Sequence, residues 1–454
     1  MRWVPLPLLL LVAAASAVTA RAADHTFTVN TTADGVDANP GDGVCATSGG
    51  LCTLRAAIME SNHTFSGTVD VVVPANANPY VLTIIPSGTD DETSGALHVN
   101  RDVRILGGGA AKTILDGNGT DRVLIVTSAN GGYSGWTENG LLFVSDLTIR
   151  NGSTSGPGGG IYDHEDVDVV VLRCVVTGNT AASGGGIDGH LSHLLTLDHS
   201  TVSGNMASVG EGGGISTRVL SAGASTISGN VASTLGGGAY VGESSSSLFY
   251  STIAGNTALN TSHLLSGAGG GLYSVGTGTL TVMGTVVSGN SEVRPTVPIP
   301  TLASNDCTGT FGGSTNIVGT KSTCTITAWE TDPLLGSLQL NGGQIPTHAL
   351  LAGSPAVDAG NLTSCAFNTP TDGRGAYRPE GAACDIGAYE YAANGDVNGD
   401  GARDVSDIFY LVNFLFAGGA APLGLGDVNG DKQTDVADVF YLINFLFAGG
   451  AAPL

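Results

Sequence analysis

Two twelve-residue stretches near the C-terminus carry oxygen donors at the spacing a hard cation requires. In the first, Asp396, Asn398, Asp400, Asp404 and Asp407 occupy positions 1, 3, 5, 9 and 12, and Ala402 at position 7 offers its backbone carbonyl. Thirty-one residues further on, Asp427, Asn429, Asp431, Gln433, Asp435 and Asp438 repeat the set. This is the spacing of an EF-hand calcium loop, in which Ca2+ gathers about six to eight oxygens at about 2.3–2.6 Å. A single acidic turn is usually only a solvated loop, but a duplicated one makes Ca2+ the expected ion. Gly401 stands at position 6 of the first loop and Lys432 at position 6 of the second, where a positive φ costs a side chain roughly 1 kcal/mol. Both loops end in Asp, which reaches less far than Glu. The second loop is therefore expected to hold calcium less well.

Each loop runs into an apolar segment, Ile408 to Phe416 and Val439 to Phe447, with no helix before it. Ile408, Leu411, Val412, Leu415 and Phe416 recur at helical spacing and form one face, leaving Phe409, Tyr410 and Phe414 on the remainder. A module this small does not bury two helices that are apolar all round, so a covering partner is expected. Residues 392–454 resemble the dockerin type I domain. The resemblance implies calcium-dependent docking to a cohesin-like protein. Position 11 holds Ser406 and Ala437 and no Lys or Arg follows on either helix, which leaves another surface protein as the alternative partner.

The element that must carry this module is written in a repeat. Cys174-Val-Val-Thr-Gly-Asn179 returns as Ser200 to Asn205, Ser225 to Asn230, Ser251 to Asn256 and Thr285 to Asn290, with a Gly triplet between phrases, and a degenerate copy, Leu147 to Gly152, precedes them. Short β-branched phrases broken by Gly, with no helical periodicity, indicate strands joined by tight turns. The expected class is all-β: a right-handed parallel β-helix, in which each coil stacks on the next at about 4.8 Å, plus a small all-α calcium-binding module. Position −3 from the Asn (Val176, Val202, Ile227, Ile253, Val287) should point inward, with position −5 beside it and positions −4 and −6 outside. The Asn column is expected to form an amide ladder.

Winding the chain in this way brings a second chemical set together. The outward −6 column reads Asp146, Arg173, His199, Ala224 and Tyr250, with Asp198 adjacent. Acid, base and aromatic within a few coils form a candidate polysaccharide groove, set against the plainer reading of unrelated surface side chains. Parallel β-helices host pectate lyases and polygalacturonases, so a polysaccharide lyase or glycoside hydrolase is the alternative to a binding or adhesion protein. A lyase would need a cationic base beside a bridged uronate, and an inverting hydrolase two carboxyls about 6.5–9.5 Å apart; neither motif is present. The acidic run Asp163 to Asp168 reads as a solvated turn.

The ends need covering, because open strand edges and apolar interior would otherwise meet water. Residues 24–75 include Leu54, Ile58 and Met59 at helical spacing in Cys52-Thr-Leu-Arg-Ala-Ala-Ile-Met-Glu-Ser-Asn62, and the segment resembles the CSLREA domain of secreted β-helix proteins, with Thr53 and Ala56 departing from it. The resemblance implies an N-terminal cap to the coils of residues 76–330. Asp332 to Gly336, Asn341 to Leu350, Gly353 to Gly360, Thr371 to Gly375 and Asp385 to Glu390 together resemble the choice-of-anchor Q domain, so residues 331–391 are expected to cap the other end. His348, Asp372 and Arg374 within it are read as structural.

Residues 1–23, with Arg2, an apolar run from Val4 to Val12 and Ala-rich sequence after it, read as a secretory signal peptide, and no later stretch is long enough to span a membrane. A secreted or cell-surface protein is expected. A net charge of −23 argues against nucleic acid or anionic membrane as partner. Six of the seven cysteines fall into close sequence pairs, Cys45 with Cys52, Cys307 with Cys324 and Cys365 with Cys384, leaving Cys174 as a buried thiol.

Overall fold

The computed structural model describes residues 23–63, 67–88, 91–126, 141–165, 167–190, 194–242, 245–260, 267–275, 280–294, 301–321, 323–391, 395–400, 402–424, 426–429, 431, 433–451 and 453. The expected leader, residues 1–23, falls almost wholly outside them, as do Gly401 and Lys432. Among the described residues the chain is mainly β, with long parallel sheets wound into a β-solenoid and four short helices. One coil runs through Leu194–Asp198 (sheet A), Thr201–Ser203 (sheet B), Met206–Ala207 (a narrow fourth sheet) and Ile215–Thr217 (sheet C). Each segment pairs in parallel with its counterpart one coil on.

Register keeps like residues in columns. Val176, Val202, Ile227, Ile253 and Val287 stack in that order and none is exposed. Beside them Cys174, Ser200, Ser225 and Ser251 each receive in turn a side-chain oxygen from the next coil onto their backbone N–H, at 3.0–3.3 Å. The Asn column is a buried amide ladder: Nδ2 of Asn179, Asn205, Asn230 and Asn256 donates to the Oδ1 above at 2.8–3.0 Å. The last rung donates to Asp306 Oδ1 at 2.8 Å, and burial pushes the Asp306 carboxyl up. The Gly before each of these Asn has φ of 63° to 71°. The triplets combine both needs: their first Gly has φ of 53° to 67°, and a Cβ on the second, Gly185, would lie 2.4 Å from the Met206 backbone.

Helix α1 (Leu54–His63) puts Leu54, Ala57 and Ile58 into the interior of the first coils. Arg55, 1% exposed, donates to Asp34 and to the carbonyls of Gly95 and Ala96, so this buried cation is fully partnered. At the far end Thr323–Thr325 and Ala328–Glu330 add the last strands of sheets C and B. The three expected cysteine pairs are disulfides. Cys174 is buried, and desolvation raises its thiol to about 12, as an inert packing residue requires.

Residues 331–391 are expected to cap the solenoid end, but from residue 341 onward they pack against the outside of sheet B. They lie along its flank. The strand Pro346–Leu350 pairs antiparallel with Leu335–Leu340 and crosses the outside of sheet B coil by coil. Ile345 packs on Ala110 and Val175, the Pro346 carbonyl accepts from Thr201 Oγ1 at 2.7 Å, and His348 meets Ser228 Oγ at 2.8 Å. Leu350 and Ile386 cover Val286 and Ile317. Thr201 was expected to face solvent; it points away from the interior but is fully buried beneath this roof.

Candidate functional site

The −6 column sits at the corner where sheet A turns into sheet B, not on a strand. Asp146, Arg173, His199, Ala224 and Tyr250 all have positive φ, between 45° and 57°, and Gly284 follows them at 61°. Left-handed backbone costs a side chain about 1 kcal/mol. It is sustained here by stacking: His199 N donates to Gly223 O and Tyr250 N to Met283 O, each in the next coil. The column is therefore a ladder of turns, and its register reflects the backbone.

The flank segment closes over most of it. Tyr250 has no exposed surface; its hydroxyl donates to Asn361 O at 2.9 Å and its ring packs on Cys365 and Cys384. His199 holds Asp198 Oδ1 on Nδ1 and Thr371 Oγ1 on Nε2, both at 2.8 Å, with 17% of its side chain exposed. Burial lowers its pKa, but Asp198 and the more distant Asp372 outweigh burial and the net shift is upward. Arg173 grips Asp146 through two bonds of 2.6 and 2.7 Å. Asp146, Arg173 and His199 do share a pocket of about 90 Å³ with Gln344 and Arg374. Tyr250 is not part of an open groove, and both ring nitrogens of His199 are occupied. The corner works as a latch for the flank segment.

His348, Asp372 and Arg374 belong to that same packing. His348 Nδ1 faces the Gly336 carbonyl at 2.7 Å, and burial lowers its pKa, so the neutral ring donates there and accepts from Ser228. Arg374 and Asp372 form a fully buried pair at 2.7 Å. Arg378 meets Glu390 at 3.1 Å.

The two acidic loops follow the same path. Asp407 Oδ1 accepts from Val397 N and Asn398 N at 2.7 and 3.1 Å, and Asp438 does so from Val428 N and Asn429 N at the same distances. Asp404 and Asp435 cap the helices Val405–Ala417 and Val436–Ala448 with matching capping boxes. All donors in both loops are oxygens, which fits a hard divalent cation in kind. Among the described residues, no three His, Cys, Asp or Glu side chains converge at metal-binding distance. The loops differ in setting. Asp396 is 1% exposed, Tyr377 N donates to Gly399 O at 3.1 Å, and Glu380 of the flank segment meets Asp396, its carboxyl raised to about 9 by burial and by that neighbour. Asp427 is only half-buried.

Between the helices, Ile408, Leu411, Val439 and Leu442 pack with Val397 and Val428. Phe416, expected in this face, is 67% exposed and joins Phe409 at 68%; Phe440 and Phe447 match them at 65% and 70%. Eight residues is more than two helical turns, so Phe416 drifts off the packed stripe and lines up with Phe409, seven residues before it.

Sequence reading missed one constellation. The second residue after each Gly triplet points outward on sheet C, in the register Tyr162, Asp188, Ser216, Tyr240, Tyr273. Tyr240 and Tyr273 stack at 5.7 Å and 4°, and His190 stacks on Tyr240 at 6.1 Å and 16°. The triplets were the available signal.

Searches of protein-family models, curated proteins and solved structures return no match to this chain. The class it belongs to, a β-solenoid with a roofed flank and a duplicated loop-helix module, rests on its own geometry.

Proposed function

We propose that this is a secreted or cell-surface binding protein: a right-handed β-helix that contacts carbohydrate or another surface ligand, carrying a dockerin-like module that binds Ca2+ and docks to a cohesin-like or other surface protein. The observation that carries this reading is the internal duplication of residues 396–447, loop for loop and helix for helix, with a pair of exposed phenylalanines repeated on each helix. Asp396, Asn398, Asp400, Ala402, Asp404 and Asp407 would hold one ion, and their counterparts in the second loop the other. Calcium would neutralise carboxylates that otherwise repel each other, and so stiffen the frame on which the helices stand.

Calorimetric titration of the full chain with Ca2+ tests the metal half. Two sites should appear, with Asp396→Ala removing the tighter one and Asp427→Ala the weaker. A panel of immobilised cohesin modules, run in Ca2+ and then in chelator, tests the docking half. Absence of calcium binding would sink the reading. A polysaccharide lyase or hydrolase remains the alternative class; it is supported by no catalytic arrangement at the corner, and release of unsaturated products or reducing ends from uronate polymers would revive it.

A further inference from the structure

We infer that the outer face of sheet C is a binding platform for a neutral glycan chain, with His190, Tyr240 and Tyr273 as its stacking surface and the partly exposed Glu211 beside them as its acceptor. This rests on the carbohydrate-binding half of the reading above and gives it a location. The argument begins with order. Tyr240 and Tyr273 occupy equivalent positions in neighbouring coils and lie nearly parallel, and His190 reaches across the intervening coil, its Nδ1 3.2 Å from Ser216 Oγ, to extend the pile. Rings held by one another and by the coil spacing lose little further freedom when a ligand arrives, which is the main cost of binding through long side chains. His190 is exposed and both tyrosines are partly exposed, so the pile has apolar surface to offer.

The neighbouring groups supply direction. Asp188 receives Ser183 Oγ at 2.8 Å and the His190 backbone N–H at 3.2 Å. Asp188 is 2% exposed and Ser216 is fully buried, so the two brace the pile from beneath. Glu211 stands close enough to raise the ionisations of both Asp188 and Tyr240, after burial. Three coils from Tyr240, roughly 14 Å at the usual strand spacing, Tyr162 forms a second aromatic station, with Arg122 5.0 Å over its ring and His164 5.6 Å away. Two aromatic stations along one face, with the Glu211 carboxylate near the larger of them, match an extended chain of sugar rings, whose C–H faces pack on aromatics and whose hydroxyls donate to carboxylates. Charge selects the kind of chain. Glu211, on a protein of net charge −23, repels polyuronates and sulfated polymers, while hydroxyl donors on a neutral glycan meet an acceptor.

The test is affinity electrophoresis of the full chain through gels containing neutral β-glucan, neutral α-glucan or polyuronate, with melting temperature measured in parallel. The parent should be retarded by a neutral polymer and not by polyuronate. Tyr240→Ala and Tyr273→Ala should each weaken retention roughly tenfold while the melting temperature stays nearly constant. Tyr240→Phe, which keeps the pile, serves if an alanine variant folds poorly, and should retain most of the binding. Retardation by a neutral glycan that both alanine variants preserve would overturn the platform and leave the wider reading standing. Retardation by polyuronate alone would overturn the assignment of ligand. A parent retained by no glycan would remove both the platform and the carbohydrate half of the proposed function.

Discussion

The outer faces of sheets B and C are built by the same alternation of side chains, yet one is roofed and the other meets solvent. On sheet B, the column Val175, Thr201, Thr226, Thr252, Val286 lies under the flank segment, with Thr201 and Thr252 bonded to it. On sheet C, the column from Tyr162 to Tyr273 keeps its rings partly exposed and stacks them on one another. Both faces point away from the interior; one is sealed by the flank segment, while the other shows its aromatic rings to water and, in that column, keeps only Asp188 and Ser216 buried. The contrast shows that orientation relative to the coil and orientation relative to solvent are separate properties in a solenoid, and that a segment far along the chain decides the second.

Substitutions on the two faces, with an interior control, can break this contrast. The largest effect belongs to the interior both faces share: Ile227→Asp places an unpaired carboxylate among apolar columns and should destabilise by about 5 kcal/mol or prevent folding. Next comes the direct comparison. Tyr250→Ala should cost about 3–5 kcal/mol, because a fully buried ring and its bond to Asn361 are lost, whereas Tyr240→Ala on sheet C should cost about 1 kcal/mol or less. Equal shifts in denaturant midpoint for these two tyrosines would show that the flank segment does not seal the corner. Thr201→Asp should cost about 2–4 kcal/mol, since the new carboxylate would face the Pro346 carbonyl with no donor to meet it; a shift under about 0.5 kcal/mol, the usual surface value, would lift the roof from this coil.

The smallest expected effect is one of pH. Burial first, and then repulsion from Asp385, raises Glu390 to about 7, and burial with repulsion from Asp358 raises Asp385 to about 6, in both cases against the pull of Arg378. Folded values above the ordinary carboxylate range mean that the stabilisation accompanies the protonated form. It is fully present below about pH 4 and is lost as pH rises through about 6 to 7. Hydrogen exchange in residues 372–390 should therefore quicken between pH 5 and pH 8 while that of the sheet C strands keeps only its intrinsic pH dependence, and Glu390→Gln should flatten the difference.

How much of this was legible follows from the range of each interaction. The interior columns, the Asn ladder and α1 are written in spacings of a few residues or one coil, and they were readable. The roof joins Thr201 to Pro346 and Tyr250 to Asn361 across more than a hundred residues, and nothing in the repeat itself records what lies on it. Strand alternation places the corner column one residue beyond its range, past the point where φ changes sign at His199 and its equivalents. Phe416 was placed inside by the same kind of overreach, since a helical face extended by a whole further turn drifts around the cylinder.

The axial run of Pro346–Leu350 also has a mechanical consequence. The module that follows is seated on this flank: Arg374 Nη1 donates to Leu423 O, and Tyr377 N to Gly399 O. A pull on the module is thus delivered sideways, through contacts spread over the coils from Val175 to Val286, and not to the last rung of the ladder. Loaded in this way, neighbouring coils share the force in parallel, as planks share it under a cross-batten, and the rod resists being unwound from its C-terminal end.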